Sequence, residues 1–315
     1  MKAPDRFRSA TFFELDRRRL ASRARALRPD LVHAHGTEDA YGLSAQSTGL
    51  PYVITAQGLF FNINRAVRPR LFSRERVLEF TEASCFRRAD HVIAKSRYVR
   101  DALAARFPNL SLHEIPNTFD ERFLDVQEPK RPNQIVFVGS VSPHKGVHTL
   151  REALVRVCRV VPGIALHIAG DSVNAPLPYE IEQKRLFHKT LGDAVSFHGQ
   201  LRGIDLAHLV ASSMALVAPS LEDMFGNQVV EALLLRTHGI VAEGTALPEN
   251  VRRFGNGTIV PSEDAEALAK AIIRAVTQPT TGPEPQQARD AIVAAFGPAS
   301  VAKAHREVYE QVLNG

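Results

Sequence analysis

Glu222 and Asp223 stand side by side in a polar loop that closes one apolar run and precedes another. The run Met214 to Ala218 stops at Pro219-Ser220. After the two carboxylates, Gly226 leads into Val229-Val230-Glu231-Ala232-Leu233-Leu234-Leu235, a composition that predicts a buried helix. Two carboxylates, a glycine and a helix start therefore gather at the end of a predicted strand. Ligands of open α/β sheets bind at that edge. The free N–H groups of a helix N-terminus attract phosphate, and a carboxylate beside them accepts hydrogen bonds from sugar or ribose hydroxyls. A nucleotide-sugar, which carries both phosphate and sugar, matches this combination.

A second segment runs Phe137-Val-Gly-Ser-Val-Ser-Pro-His-Lys-Gly-Val147. A strand ends at Gly139, and Lys145-Gly146 opens a helix. Lysine is a compact cation suited to a diphosphate, and the helix N-terminus adds its own pull. This is not a phosphate loop of the Walker type. His144 stands where its second glycine belongs, and Gly146 where Ser or Thr follows the lysine. Taken alone, the segment reads equally well as an ordinary strand–turn–helix with an exposed lysine.

The third segment, Glu243-Gly-Thr-Ala-Leu-Pro-Glu249, again follows a strand. Gly244 lets the backbone approach a ligand closely, while Glu249 either binds that ligand or caps the next helix. His33 and His35 alternate on one strand and so face one side. They are either packed by the next helix or, for His35-Gly36, placed beside a second substrate. Cys85 and Cys158 fall on helices as buried structural thiols. Glu263-Asp264 and Glu266 form the polar first turn of a helix.

Positioning these residues requires short apolar strands alternating with amphipathic helices, the pattern of parallel sheets. Strands are expected at Leu31–Ala34, Tyr52–Thr55, His91–Ala94 and Leu112–Ile115, with helices at Phe13–Leu27, Arg74–Arg88 and Tyr98–Phe107. A linker rich in Pro and charge spans Asp125–Asn133. Beyond it, strands are expected at Ile135–Val138, Ala165–Ala169, Ala194–Phe197, Met214–Ala218, Gly239–Ala242 and Thr258–Val260. Helices are expected at Val147–Val160, Asp205–Ser212, Val229–Leu235, Ala265–Val276, Ala288–Phe296 and Ala299–Val312, with a loop over 278–286. The whole reads as two Rossmann-like halves.

The chain has 315 residues, 44% of them apolar, enough for two globular domains. No apolar run approaches the ~20 residues that span a bilayer, and the basic N-terminus carries no secretory apolar core. Two cysteines make no disulfide framework, which predicts a reducing, cytoplasmic location. The net charge of +5 is uneven: Arg17-Arg18-Arg19, Arg23, Arg25 and Arg28 cluster on one predicted helix. Such a helix is either a solvated face or a peripheral contact with the anionic inner face of the cell membrane. No aromatic residues interleave the arginines, so nucleic acid is not expected. No metal-ligand spacing occurs. Gly255-Asn-Gly257 precedes a strand instead of following one, which removes a dinucleotide fingerprint.

These pieces, in order, resemble the retaining nucleotide-sugar glycosyltransferases of family 4, which have the GT-B fold. The residues that carry the resemblance are Val138-Gly-Ser-Val-Ser-Pro-His-Lys-Gly146, His167-Ile-Ala-Gly-Asp171, Val195-Ser-Phe-His-Gly199, the run from Ala218 to Leu233, and Leu247-Pro-Glu-Asn-Val251. Upstream, they are Arg28-Pro-Asp-Leu-Val-His-Ala-His-Gly36, Ala89-Asp-His-Val-Ile-Ala-Lys-Ser96 and Ile115-Pro-Asn-Thr-Phe-Asp120. The resemblance covers residues 28 to 315. It implies an acceptor-side domain over 1–125, a donor-binding domain over 126–298, and a closing helix over 299–315 that packs back toward the first domain. Lys145 is implied to hold the donor diphosphate. Asp223 and Glu231 would be the paired acids of the family's Glu-x7-Glu spacing, the first on the transferred sugar and the second on the ribose. Lys145, Asp223 and Glu231 are thus the expected catalytic residues. Gly139, Ser140, Gly170, Phe225, Gly226, Asn227 and Glu249 complete the donor site, Phe225, Gly226 and Asn227 through backbone N–H groups. His35, Gly36, Gln57 and Gly58 are expected on the acceptor side, where a glycan or glycolipid would bind. Glu222 falls out of register and is expected to stay outside the site. No metal or other cofactor is implied.

The chain departs from the family pattern at several positions. Ser140 stands where an arginine usually meets the diphosphate, and Asp223 is one methylene shorter than the usual Glu. Gln57 replaces a frequent histidine, and Thr118 the glycine of a Pro-Asn-Gly turn. Nothing before Leu31 reads as a strand and no paired glycines occur there. A βαβ unit takes about 30 residues, so the first domain is expected to lack at least one unit, leaving a sheet edge exposed. An active transferase and a nucleotide-sugar binder with little catalysis are both compatible with this reading.

Overall fold

The computed structural model describes residues 13–38, 41–69, 73–171, 177–279 and 284–314. It divides into one unit of Met1–Asn117 with Ala299–Gly315 and a second of Thr118–Pro298.

The first unit contains helix α1 (Glu14–Leu27), strand β1 (Val32–His35), α2 (Tyr41–Gln46), β2 (Tyr52–Thr55), α3 (Phe60–Val67), α4 (Arg74–Phe86), β3 (His91–Ala94), α5 (Arg97–Arg106) and β4 (Ser111–Glu114). Its four strands are parallel and ordered β1-β2-β3-β4. The two inner strands are nearly continuous apolar runs because a parallel sheet is covered on both faces. Edge strand β4, Ser-Leu-His-Glu, is polar at both ends, which blunts pairing with another chain. At the other edge, β1 pairs only with β2 among the described residues. A recess of about 550 Å³ lies beside it, lined by Leu20, Ala24, Val32, Tyr41 and Ala45 among others. The C-terminal helix (Pro298–Asn314) lays Val308 onto Val53, Ile93 and Ile115 of this sheet. The expectation that residues before Leu31 hold no strand covers residues 1–12, which lie outside the described residues. From Glu14 to Leu27 the chain is helical.

The second unit contains β5 (Gln134–Val138), α6 (Val147–Val157), β6 (Ala165–Ala169), α7 (Pro178–Leu191), β7 (Val195–Phe197), α8 (Gly203–Ser212), β8 (Ala215–Ala218), α9 (Asn227–Leu234), β9 (His238–Ala242), α10 (Leu247–Phe254), β10 (Gly257–Val260), α11 (Ala265–Thr277) and α12 (Glu284–Phe296). Its six parallel strands run β10-β9-β8-β5-β6-β7. Successive residues of a strand point to opposite faces, and the two cores follow that rule. Ile135, Phe137, Ala215, Val217 and Ile240 pack with α6 and α11. Val136, Leu216, Ala218 and Val241 pack with α8, α9, α10 and α12. The result is a three-layer α/β unit.

Three expectations shift. The boundary falls at 117/118 instead of 125/126, because Phe119, Phe123 and Val126 enter the core of the second unit. The expected loop over 278–286 ends earlier: residues 284–286 are already helical, and 280–283 lie outside the described residues. Cys85 is fully buried, but Cys158 is only half-buried and caps the C-terminus of α6.

At the sheet's carboxyl edge, a Cβ on Gly170 would lie 2.3 Å from the Gly139 carbonyl oxygen, and its φ is +137°. Gly170→Ala is therefore expected to destabilise the protein by roughly 2–4 kcal/mol, combining overpacking with backbone strain. Gly163 also has positive φ but no atom within 4 Å of its Cβ position. Gly163→Ala should lose only the strain, about 1–2 kcal/mol. Chemical denaturation of both variants checks the difference, and equal losses would contradict the close packing at Gly170.

Candidate active site

The second sheet winds outward from β5 through β6 and β7, then restarts on the other side with β8. The winding reverses between β5 and β8. Loops leaving two strands at such a reversal diverge, and the space between them is where doubly wound sheets bind ligands. One loop passes from Val138 through Gly139 and the 3-10 turn Pro143–Lys145 into α6. The other runs from Pro219 to Gly226 and into α9.

The two loops are pinned together. A Cβ on Gly146 would lie 1.9 Å from the Pro219 carbonyl oxygen, so only glycine lets the backbones touch. The His144 carbonyl accepts the N–H groups of Leu221 (2.7 Å) and Glu222 (3.2 Å). Across this contact Lys145 Nζ donates to Asp223 Oδ2 at 2.6 Å. The same oxygen accepts Gln228 Nε2 at 3.0 Å, and Oδ1 accepts the Phe225 N–H at 3.4 Å. Burial pushes the Asp223 carboxyl up, but the Lys145 charge and these hydrogen bonds outweigh it and hold the group below the ordinary aspartate value. His144 is kept neutral: burial, reinforced by the Lys145 charge, pushes it down to about 4. The pair is thus a charged, mostly buried contact beside a neutral ring.

Helix α9 starts at Gly226, which adopts a left-handed conformation and leaves the first turn without a side-chain cap. Its first N–H groups carry the positive end of the helix dipole. The Phe225 ring is buried against Phe296, so this residue offers the site backbone only. Glu231 lies one turn further along α9. Burial, with the Asp120 charge added, pushes its carboxyl up to about 7.

The loop after β9 is tied to the same place. Ala246 N–H donates to the Asp223 carbonyl at 3.0 Å, and Asn250 Nδ2 to the Phe225 carbonyl at 2.6 Å. Glu249 lies half-buried in the first turn of α10 between those anchors. Three adjacent strand ends, β5, β8 and β9, therefore bring Lys145, Asp223, Gly226, Asn227 and Glu249 onto loops that are hydrogen-bonded or packed in series.

Gly139 and Gly170 contribute differently from a phosphate-binding loop. The Gly139 N–H donates to Ala169 and the Gly170 N–H to Gly199, at 2.9 and 2.7 Å. These amides are spent on the fold, and what the glycines supply is room. Ser140 holds its hydroxyl 3.1 Å from that of Ser142. Glu222 is buried, with its backbone N–H on the His144 carbonyl, while the adjacent Asp223 takes the lysine.

The first unit has its own polar edge. His33 is a structural residue, with Nδ1 2.6 Å from Tyr309 Oη and Nε2 2.7 Å from Thr55 Oγ1. Burial, then the neighbouring His35 and His305, push it down to about 3. Its hydrogen-bonding partner Tyr309 lies on the C-terminal helix. His35 is exposed and stacks on the His33 ring at 4.0 Å. Gly36, Gln57 and Gly58 follow the ends of β1 and β2, and Lys95 Nζ donates to Gln57 Oε1.

Sequence reasoning missed Gln228, Asn250 and Lys95. Gln228 and Asn250 lie on the first turns of helices that start beside the acids, a position that could have flagged them. Lys95 follows an apolar strand and precedes Ser96, which caps α5 through the Val99 N–H. That setting parallels the strand-end lysine at 145. Among the described residues no group of three or more His, Cys, Asp or Glu side chains is placed to hold a metal. No helix there is long and apolar enough to cross a membrane.

The family model of glycosyl transferases group 1 matches residues 119–292, and that of glycosyltransferase family 4 matches residues 3–123. The glycogen synthase of Mycobacterium tuberculosis is 28% identical over 299 residues, which cover 92% of this chain and 71% of that enzyme. A D-inositol 3-phosphate glycosyltransferase of Saccharomonospora viridis is 24% identical over 274 residues, covering 79% of this chain and 62% of that one. Among solved structures, sucrose-phosphate synthase from Thermosynechococcus elongatus superposes with a TM-score of 0.83 at 22% identity, covering 100% of this chain and 81% of that one. Anabaena Alr3699/HepE, solved with UDP and glucose, has a TM-score of 0.72 at 19% identity, over 94% and 80% of the two chains. These structural likenesses show the GT-B fold.

Proposed function

The chain belongs to the glycosyl transferases of group 1, and on that premise we propose that it is a retaining, metal-independent transferase using a nucleoside-diphosphate sugar. The observation that carries this reading is the Lys145–Asp223 pair at 2.6 Å, set where the sheet reverses and beside the start of α9. Lys145 and the first N–H groups of α9, at Gly226 and Asn227, meet the diphosphate. Asp223 meets the transferred sugar and Glu231 the ribose. Gly139, Ser140, Gly170, Phe225 and Glu249 line the rest of the donor site. His35, Gly36, Gln57 and Gly58 serve a glycan or glycolipid acceptor on the first unit.

In the transfer, the anomeric C–O bond to the diphosphate breaks and the acceptor oxygen bonds to the anomeric carbon on the same face. The acceptor proton passes to the departing phosphate oxygen. Negative charge grows on the diphosphate, so fixed positive groups there lower the barrier. Lys145 and the helix dipole supply that charge, and no metal is called on. No second carboxylate is needed as a nucleophile, unlike in a retaining glycosidase.

A panel of nucleotide-sugars scored for thermal stabilisation and for product tests the proposal. A donor at a hundred times its Kd should add about 2.7 kcal/mol. Lys145→Ala, Asp223→Ala and Glu231→Ala should each lower turnover of that donor by about 100-fold or more, while Glu222→Gln should retain it. Loss in Glu222→Gln with retention in Asp223→Ala would overturn the assigned register. Stabilisation without product would favour a binder with little catalysis.

Donor affinity should also depend on pH. The Glu231 carboxyl keeps its proton up to about pH 7 in the empty protein. Ribose hydroxyls donating to it favour the ionised form, so binding releases a proton in this range. Affinity for UDP-glucose should rise between pH 6 and 8, approaching about tenfold per unit at the acid end, and Glu231→Gln should flatten the profile. An unchanged slope in that variant removes Glu231 from the ribose.

Helix α1 supports a peripheral contact with anionic membrane. Arg17 and Arg25 are engaged with Ser47, and Arg18 pairs with Glu14 at 2.6 Å. Arg19 and Arg23 are exposed, as are Leu15 and Leu27. Basic residues flanking exposed leucines suit an anionic interface. The protein should float with vesicles containing phosphatidylglycerol, and Arg19→Glu with Arg23→Glu should abolish it. Flotation unchanged by the double substitution would remove α1 as the contact.

A further inference from the structure

The three donors on the Asp223 carboxylate are not carried by one piece of chain. Phe225 and Gln228 lie two and five residues further along the same segment. Lys145 comes from the other loop, 78 residues away. The Phe225 N–H is 3.4 Å from Oδ1, at the long end of a hydrogen bond. Gln228 Nε2, 3.0 Å from Oδ2, is the better placed of the two local donors. It stands on the first turn of α9, whose next residues, Val229 and Val230, are buried in the core of the second unit. The backbone that carries Gln228 is therefore anchored beside the Asp223 loop.

Lys145 is the partner free to exchange. Its side chain is 20% exposed against 9% for Asp223. An ammonium on a flexible four-carbon stem turns readily, and among the described residues Asp223 is its one side-chain hydrogen-bond partner. A diphosphate carries more negative charge than a carboxylate and competes for the same ammonium. When Lys145 turns to it, Asp223 is left largely buried without its counter-charge. A buried carboxylate in that state takes up a proton or swings toward water unless other donors hold it. The Gln228 amide is neutral and gives the diphosphate no charge to draw, so its hydrogen bond survives the exchange.

The geometry points to Gln228 as the positioning residue that keeps an ionised Asp223 in place for the sugar once a diphosphate has drawn Lys145 away. The inference rests on the proposed reading of these two loops as the donor site. A nucleoside diphosphate without a sugar takes Lys145 from Asp223 and returns nothing to it, so the carboxylate opposes its binding. With a sugar attached, a hydroxyl donates to the lone pair that Lys145 has left, beside the Gln228 amide. Asp223 thus favours the sugar conjugate relative to the bare diphosphate, and Gln228 sets how strongly.

Three matched pairs of probes test the inference: UDP, ADP and GDP, each with its glucose conjugate, titrated into the full chain. In a pair that binds, Gln228→Met should leave the bare diphosphate within about twofold and weaken the conjugate about tenfold or more, a gap of 1.4 kcal/mol. Asp223→Asn, which removes the competing charge, should bind the bare diphosphate about tenfold more tightly and gain nothing for the conjugate. A merely structural role would shift both members of a pair together. Gln228→Ala repeats the first measurement should the methionine variant fail to fold. The role of Gln228 is overturned if both members weaken equally or if the ratio stays that of the wild type. It is overturned as well if Asp223→Asn binds the bare diphosphate no better. Those outcomes leave the donor site standing, because the wild type still binds the conjugate. A wild type that binds no member of any pair removes the proposed function and this role with it.

Discussion

A lysine ammonium and an aspartate carboxylate held 2.6 Å apart, the latter with 9% of its side chain exposed, is the contact around which the second unit is arranged. Taking two charges out of water is costly unless geometry and further hydrogen bonds compensate. Here they do: Asp223 also accepts from Gln228 and from the Phe225 N–H. The loops that carry the two charges are fused by the Gly146–Pro219 contact and by the His144 carbonyl. Neither side chain can move away without the other loop. The strand order explains why they meet at all, because β5 and β8 are neighbours only where the winding reverses.

The two units place a strand-end lysine in comparable positions but surround it differently. Lys145 follows β5 by a short turn and faces a carboxylate fixed by donors. Lys95 follows β3 at once and faces a neutral amide. The first arrangement neutralises its lysine with a carboxylate at the start of a helix. The second sets its lysine against an amide oxygen. A parallel sheet aligns all its strand ends at one edge, so the difference between the sites lies in a few loop residues and not in the fold.

Much of this was legible in the sequence, and the limits are physical. Tyr52–Thr55, His91–Ala94 and Ala165–Ala169 match their expected bounds because doubly covered strands are unbroken apolar runs with few alternatives. The helices Tyr41–Gln46, Phe60–Val67 and Pro178–Leu191 were not anticipated. Phe60–Val67 shows why: Leu59 provides no cap, and the first N–H groups are satisfied by Glu82, a distant residue on another helix. A start signal supplied by tertiary contact leaves no local trace. Asp223 and Glu231 were paired through the resemblance to the family's Glu-x7-Glu spacing, and Asp223 lies on Lys145. Gln228 was not legible, because its role depends on which way the first turn of α9 faces. The charged linker was read as a boundary, but it belongs to the second unit, where Lys130 donates to Ala211, Ser213 and Thr237.

Two of the departures from the family pattern act on the same charges. Shortening the acid by one methylene leaves Asp223 drawn back onto Lys145 and Gln228, with three donors already on its oxygens. On the proposed reading, an incoming sugar finds only the lone pairs that remain on Asp223, and a diphosphate shares Lys145 with it. Ser140, in the place of a second cation, adds a hydroxyl that is already 3.1 Å from Ser142. The net charge of Lys145 and Asp223 together is zero. The residue that opens α9, Gly226, brings no side-chain acceptor of its own to the helix start. On the proposed reading, the positive end of the α9 dipole therefore adds the potential that the neutral Lys145–Asp223 pair does not.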